Sequence, residues 1–95
     1  MTLREWVNEN LDEALLADGF DEAVLGWCYT PGVGARLVYD AKKCVEILMA
    51  TSSMSRDEAC EFFFYNTEGT YVGPLTPVFL RRFRPEEIKG EKESI

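Results

Sequence analysis

The chain contains no histidine, so the side chain that most often serves as general base near neutral pH is missing. A serine or cysteine nucleophile would need another activator. Ser52, Ser53 and Ser55 gather at a helix start, where serine is expected as a cap. Cys28, Cys44 and Cys60 are evenly spaced but form no CxxC pair. Without histidine, a zinc site would lack its usual ligands. All three are read as buried thiols, the common fate of free cysteine, and an odd count suits a reducing compartment. Carboxylates cluster at Asp18, Asp21 and Glu22, and again at Asp57, Glu58 and Glu61. Glycosidase-type chemistry needs two carboxylates facing each other across a cleft, and a hard metal needs several converging oxygens. Local clusters show neither, and no EF-hand spacing is present. They read as solvated acidic faces. The expectation is a non-enzymatic chain with no catalytic residue, no cofactor and no metal.

Binding chemistry is better represented. Pro31-Gly32-Val33-Gly34 could offer backbone N–H groups to an anion. It is neither a P-loop nor a GxGxxG, and a hairpin turn explains both glycines. Arg81, Arg82 and Arg84 interleave with Phe79 and Phe83. Arginine with aromatics can hold phosphate or stack on bases. The same group could pair with acidic residues, or guard an edge strand with charge. The segment Tyr71-Val72-Gly73-Pro74-Leu75-Thr76-Pro77 is apolar for a loop and carries two prolines. It either packs over the core or presents a rigid edge to a partner. The candidate binding residues are therefore Asn66, Tyr71, Val72, Pro74, Arg81, Arg82 and Arg84.

These residues need elements to hold them. Thr2-Leu3-Arg4-Glu5 has the form of a capping box, and Leu3, Val7, Leu11, Ala14 and Leu15 follow at helical spacing. The spacing predicts a first helix over about 3–17, ended by Asp18-Gly19. The stretches 23–29 and 35–39 are rich in β-formers around a short turn, which implies an antiparallel hairpin. One face of its first strand would carry Leu25, Trp27 and Tyr29, and the other Val24 and Cys28. Asp40 can cap a second helix over about 41–50. Ser55-Arg56-Asp57-Glu58 is the clearest capping box in the chain. The helix it starts, at about Ser55–Asn66, is apolar almost all round and should be central. A third strand is expected at 76–80, entered after a proline that suits a strand start. The fold class is α+β in the order α-β-β-α-α-β, with a short antiparallel sheet packed on helices. Residues 1–85 would form the single domain and 86–95 a charged, frayed tail.

Composition bounds the rest. Ninety-five residues suffice for one domain, and 46% apolar residues make a folding chain. Seventeen acidic and ten basic residues leave a net charge of −7, which argues against nonspecific nucleic-acid binding. Charge of this size also simply keeps a small domain soluble. Residues 1–17 carry Arg4, Glu5, Glu9, Asp12 and Glu13 where a signal peptide would need an apolar run. No apolar run approaches a membrane span. A cytoplasmic chain is expected, and its aromatic content raises the expectation of a homodimer that hides an apolar face.

One resemblance runs through most of the chain. Asp18-Gly19-Phe20-Asp21-Glu22-Ala23, Val38-Tyr39-Asp40 with Lys43, Met54, Glu58-Ala59, Phe63, Asn66, Gly69, Tyr71-Val72-Gly73, Thr76-Pro77 and Phe79 occur in that order. Over about residues 18–80 the chain resembles small uncharacterised proteins of bacteriophages and some prokaryotes that carry a YD…EA…F..N..G.YVG..TP.F pattern. It departs from them in continuing through Arg81–Arg84 into an acidic tail. The resemblance carries no assigned activity. It implies a phage accessory or counter-defence role in the host cytoplasm, through binding a host protein. The alternative is a small-ligand or nucleotide-binding protein, with Arg81, Arg82 and the Gly32–Gly34 turn meeting phosphates beside Trp27 or Tyr39.

Overall fold

Short-range capping signals set most of the element boundaries in the computed structural model, which describes residues 1–84 and 86. Helix α1 (Leu3–Asn10) opens on the expected box: the Glu5 N–H donates to Thr2 Oγ1 at 3.2 Å and the Thr2 N–H to Glu5 Oε1 at 2.8 Å. It stops seven residues short of the predicted end. Asn10 turns its amide back onto the Trp6 carbonyl, Leu11 leaves helical geometry, and Glu13 has a φ of 66°. Asn8, Asn10 and Asp12 are weak helix formers, so tertiary bonds win. Leu11 and Ala14 still reach the core. Farther along, the Ala17 N–H donates to the Tyr39 hydroxyl at 2.7 Å, a bond open only to a non-helical segment. Gly19 (φ 92°) then turns the chain into a single 3-10 turn, Asp21–Ala23.

Strands β1 (Val24–Thr30) and β2 (Gly34–Asp40) form the expected antiparallel hairpin. A bulge between Val24 and Gly26 inserts an extra residue. Val24 therefore lies opposite Tyr39 and Trp27 opposite Leu37, on one face of the sheet. This corrects the simple alternation, which put Val24 with Cys28. Asp40 caps α2 (Ala41–Ser52) by accepting from the Lys42 and Lys43 N–H groups. Cys44, Val45 and Leu48 bury the face of α2 that meets the core, while Thr51 stays exposed.

Helix α3 (Arg56–Phe63) carries both bonds of its capping box, at 3.2 and 2.9 Å. Its central placement is corrected by the structure. Only Ala59 and Phe63, one turn apart, are buried, whereas Phe62, Phe64 and Tyr65 are exposed. One flank of α3 packs on α2 and the opposite flank faces solvent. Strand β3 (Val78–Leu80) then returns beside β2 in parallel, so the sheet is mixed, in the order β1-β2-β3. Two helices lie between β2 and β3, and such a crossover delivers a parallel strand.

The core is a small aromatic stack on the helix-facing side of the sheet. Phe63 meets Phe79 edge-on at 5.2 Å and Phe20 at 6.3 Å, and Phe79 lies 5.5 Å from Tyr39. Such pairs add roughly 0.5–1.5 kcal/mol each beyond area burial. Of the three thiols, only Cys44 is buried. Cys28 is half-buried and Cys60 exposed, which corrects the uniform expectation. Cys60 follows buried Ala59 by one residue, and a helix rotates about 100° per residue, so it lands off the buried stripe. Among the described residues, no helix is long and apolar enough to cross a membrane. The expected charged tail lies outside the described residues except at Glu86, which sits 3.7 Å from Arg84 Nε.

Candidate functional site

The chain leaves α3 through a wide turn rather than a clean stop. Phe64–Glu68 forms a π-helical turn, closed by a 2.8 Å bond from the Gly69 N–H to the Phe64 carbonyl. A Cβ at Gly69 would lie 2.7 Å from that carbonyl oxygen, so only glycine closes the turn unstrained. Single π-turns of this kind often mark functional sites. Asn66 sits inside it. Its Nδ2 donates to the Phe62 carbonyl at 3.1 Å, which leaves the side-chain oxygen as an acceptor.

The 71–77 loop is pinned by Thr76 rather than by its prolines. The Val72 N–H donates to Thr76 Oγ1 at 3.0 Å, that hydroxyl donates to the Gly73 carbonyl at 2.6 Å, and Arg36 Nε donates to the Thr76 carbonyl at 2.7 Å. Thr76 packs down, while Tyr71, Val72 and Pro74 stay exposed.

Two concavities meet at Asn66. The first, of about 430 Å³, lies between the extended 15–18 segment, Phe20, the π-turn, Val72 and the Thr76–Phe79 strand entry. Its walls are mainly apolar, with Asn66, Thr67, Thr70 and Thr76 as the polar groups. The second, of about 540 Å³, is a shallower groove along α3. Met54, Phe62 and Tyr65 supply its apolar walls, and Glu58 and Glu61 its rim. Phe64 packs edge-on against Tyr65 at 5.1 Å beside it. This arrangement suits binding. An apolar hollow of this size with a few convergent polar groups is the usual form of a ligand or peptide site.

Asn66 and Val72 are brought together on the first cavity, with Tyr71 and Pro74 on the same loop but outside the lining. The arginines form a separate surface. Arg81 makes a bidentate pair with Glu68 at 2.6 and 2.7 Å, and Arg82 pairs with Asp40 at 2.9 Å. Both acids are half-buried, and the pairs tie the chain after β3 to the π-turn and to the cap of α2. Donation to the Glu68 carboxylate holds the Arg81 proton more tightly than usual. A hollow of about 430 Å³ lies among Lys42, Arg81, Arg82 and Arg84.

The structure does not assemble the nucleotide arrangement. Arg82 lies at the Asp40 end of β2, the Gly32–Gly34 turn lies at the other end, and six strand steps separate them by about 20 Å. Tyr39 is fully buried and unavailable for stacking. Sequence reasoning misses Leu15, Leu16 and Ala17, whose spacing places them in a helix, and Phe62 and Tyr65, whose apolar run places them toward the core. Among the described residues, no group of three or more His, Cys, Asp or Glu side chains could hold a metal ion.

Comparison with known proteins finds no matching family model, no matching curated protein and no matching solved structure.

Proposed function

We propose that the chain is a non-enzymatic interaction protein that docks a protein partner on the surface running from the exposed flank of α3, across Asn66, to the 71–77 loop. One observation carries this reading: Phe62, Tyr65, Tyr71 and Val72 are exposed around two cavities that share Asn66 as a wall. Aromatic side chains dominate binding energy at interfaces, and an exposed apolar patch around concave surface marks such a site. The expected phage accessory or counter-defence role, with a host protein as partner, is supported by the sequence resemblance alone.

The test is capture from lysate of the encoding cell. Wild-type protein should retain a partner that Tyr65→Ala and Tyr71→Ala each lose while keeping the wild-type circular dichroism. Equal capture by all three proteins would remove the surface from consideration. A second reading, a small apolar ligand in the first cavity, is favoured by its volume and its hydroxyl and amide lining. Ligand binding there would raise the melting temperature by mass action, and no shift across a panel at millimolar ligand would end it.

A further inference from the structure

The groove of about 540 Å³ along α3 has a chemistry of its own. Glu58, Glu61, Phe62 and Tyr65 fall three or four residues apart, so they form one stripe that runs from α3 into the π-turn. Phe62 is 41% exposed and Tyr65 71%. Glu61 makes no hydrogen bond or ion pair among the described residues. Glu58 spends Oε1 on the Ser55 N–H of the capping box and keeps its second oxygen. The Asn66 amide nitrogen donates to the Phe62 carbonyl, so its oxygen faces outward as an acceptor. The hydroxyls of Ser52, Ser53 and Tyr65 complete the polar lining, and each can accept as well as donate. No lysine or arginine lines this groove or the first cavity, whereas Lys42, Arg56, Arg81, Arg82 and Arg84 line two further hollows.

We infer that the α3 groove seats a cationic side chain, arginine or lysine, carried beside an apolar residue on a segment of the protein partner. This rests on the docking surface proposed above and names the chemistry of what docks there. Charge complementarity selects the occupant. An acidic segment would meet the Glu58 and Glu61 carboxylates with no counter-charge on the lining. A wholly apolar segment would strip water from the Glu61 carboxylate and give it no partner, which is costly. A cation between those carboxylates and the rings of Phe62 and Tyr65 gains charge-assisted hydrogen bonds and cation–π attraction together. Arginine suits the site best, because its flat guanidinium stacks on an aromatic face while its edge donates to carboxylates. Met54 and the two rings leave apolar wall for the neighbouring residue. The net charge of −7 draws a basic segment toward this surface and holds an acidic one off.

The seat is open and shallow, so the contact is weakened by salt. Selection by the full chain from a bead-displayed library of random peptides tests the assignment. Retained peptides should be enriched in arginine or lysine next to an aliphatic or aromatic residue. A retained peptide, labelled and titrated by fluorescence anisotropy, should bind Glu58→Gln/Glu61→Gln at least about fivefold more weakly than wild type. Glutamine also serves at the N3 position of a capping box, so this variant should melt like wild type. Should it fail to fold, Glu61→Gln alone, at an exposed position, repeats the comparison. Glu9→Gln removes a charge from α1, outside the groove lining, and should bind within about twofold of wild type. Binding should weaken between about 0.05 and 0.3 M salt.

Retained peptides that are neutral or acidic, yet are lost by Tyr65→Ala, would overturn this inference and leave the docking surface standing. So would basic peptides that bind Glu58→Gln/Glu61→Gln as tightly as wild type, or that Glu9→Gln weakens as much, since attraction to net charge then suffices. Retention that is the same for Tyr65→Ala, Tyr71→Ala and wild type would overturn the docking surface as well.

Discussion

Tyr39→Phe isolates the bond that shapes the first cavity. Tyr39 is fully buried on β2, and its hydroxyl accepts the Ala17 N–H at 2.7 Å across 22 residues of chain. The variant keeps the ring and its packing on Phe79, so almost no cavity is created. What it removes is the acceptor, leaving a part-buried backbone donor unpaired. That costs about 1–3 kcal/mol. In a domain of this size each kcal/mol lowers the melting temperature by about 4–8 °C. Urea unfolding should show a lower midpoint at unchanged slope, because the area buried on folding is unchanged. Hydrogen exchange should localise the effect, with the Ala17 amide exchanging about 5–150-fold faster if the loss is felt in local opening. A stability change under about 0.3 kcal/mol, the scale of denatured-state effects, would refute the claim that this bond holds the 15–18 segment out of helix and against the cavity.

Three further outcomes follow from the same packing. Gly69→Ala should destabilise the fold by about 1–3 kcal/mol, because its methyl meets the Phe64 carbonyl oxygen at 2.7 Å and the π-turn must open; thermal melting checks it, and a neutral result would mean the turn relaxes freely. Burial pushes the Cys44 thiol up to about 12, so at pH 8 iodoacetamide should label Cys60 readily and Cys44 only after urea is added, as peptide mass mapping will show. Burial also raises Tyr39 above 10.0, so in the native state both groups keep their protons after the unfolded chain has lost them. Their contribution is complete below about pH 9 and declines as pH rises toward 12, by up to about 4 kcal/mol for Cys44; Cys44→Ala should flatten that alkaline fall in urea midpoints.

Much of the fold was legible because its signals are local. Thr2 with Glu5, Asp40, and Ser55 with Glu58 mark helix starts within three residues, and the Pro31–Gly34 turn declares its hairpin. The misses required knowledge of distant partners. Nothing within residues 11–17 states that Tyr39 will take the Ala17 N–H and end the helical pattern early. The orientation of β3 depends on the crossover through α2 and α3, not on its own residues. Across the end of α3 and the π-turn, a run of Phe62, Phe63, Phe64 and Tyr65 gives no clue that Phe63 alone points inward, since that is decided by its ring contacts with Phe20 and Phe79. The site was half legible for the same reason. Asn66 and Val72 were singled out by their place after α3, whereas the wall they share with Leu16 and Ala17 comes from the far end of the chain.

The docking surface is tested most directly by photo-crosslinking in the encoding cell, with a benzophenone amino acid placed singly at positions 65, 71, 84 and 9. Crosslinks to one and the same heterologous protein from positions 65 and 71, with none from Glu9 or Arg84, are the expected result. Adducts confined to position 84 or 9, or equal at all four, would contradict it.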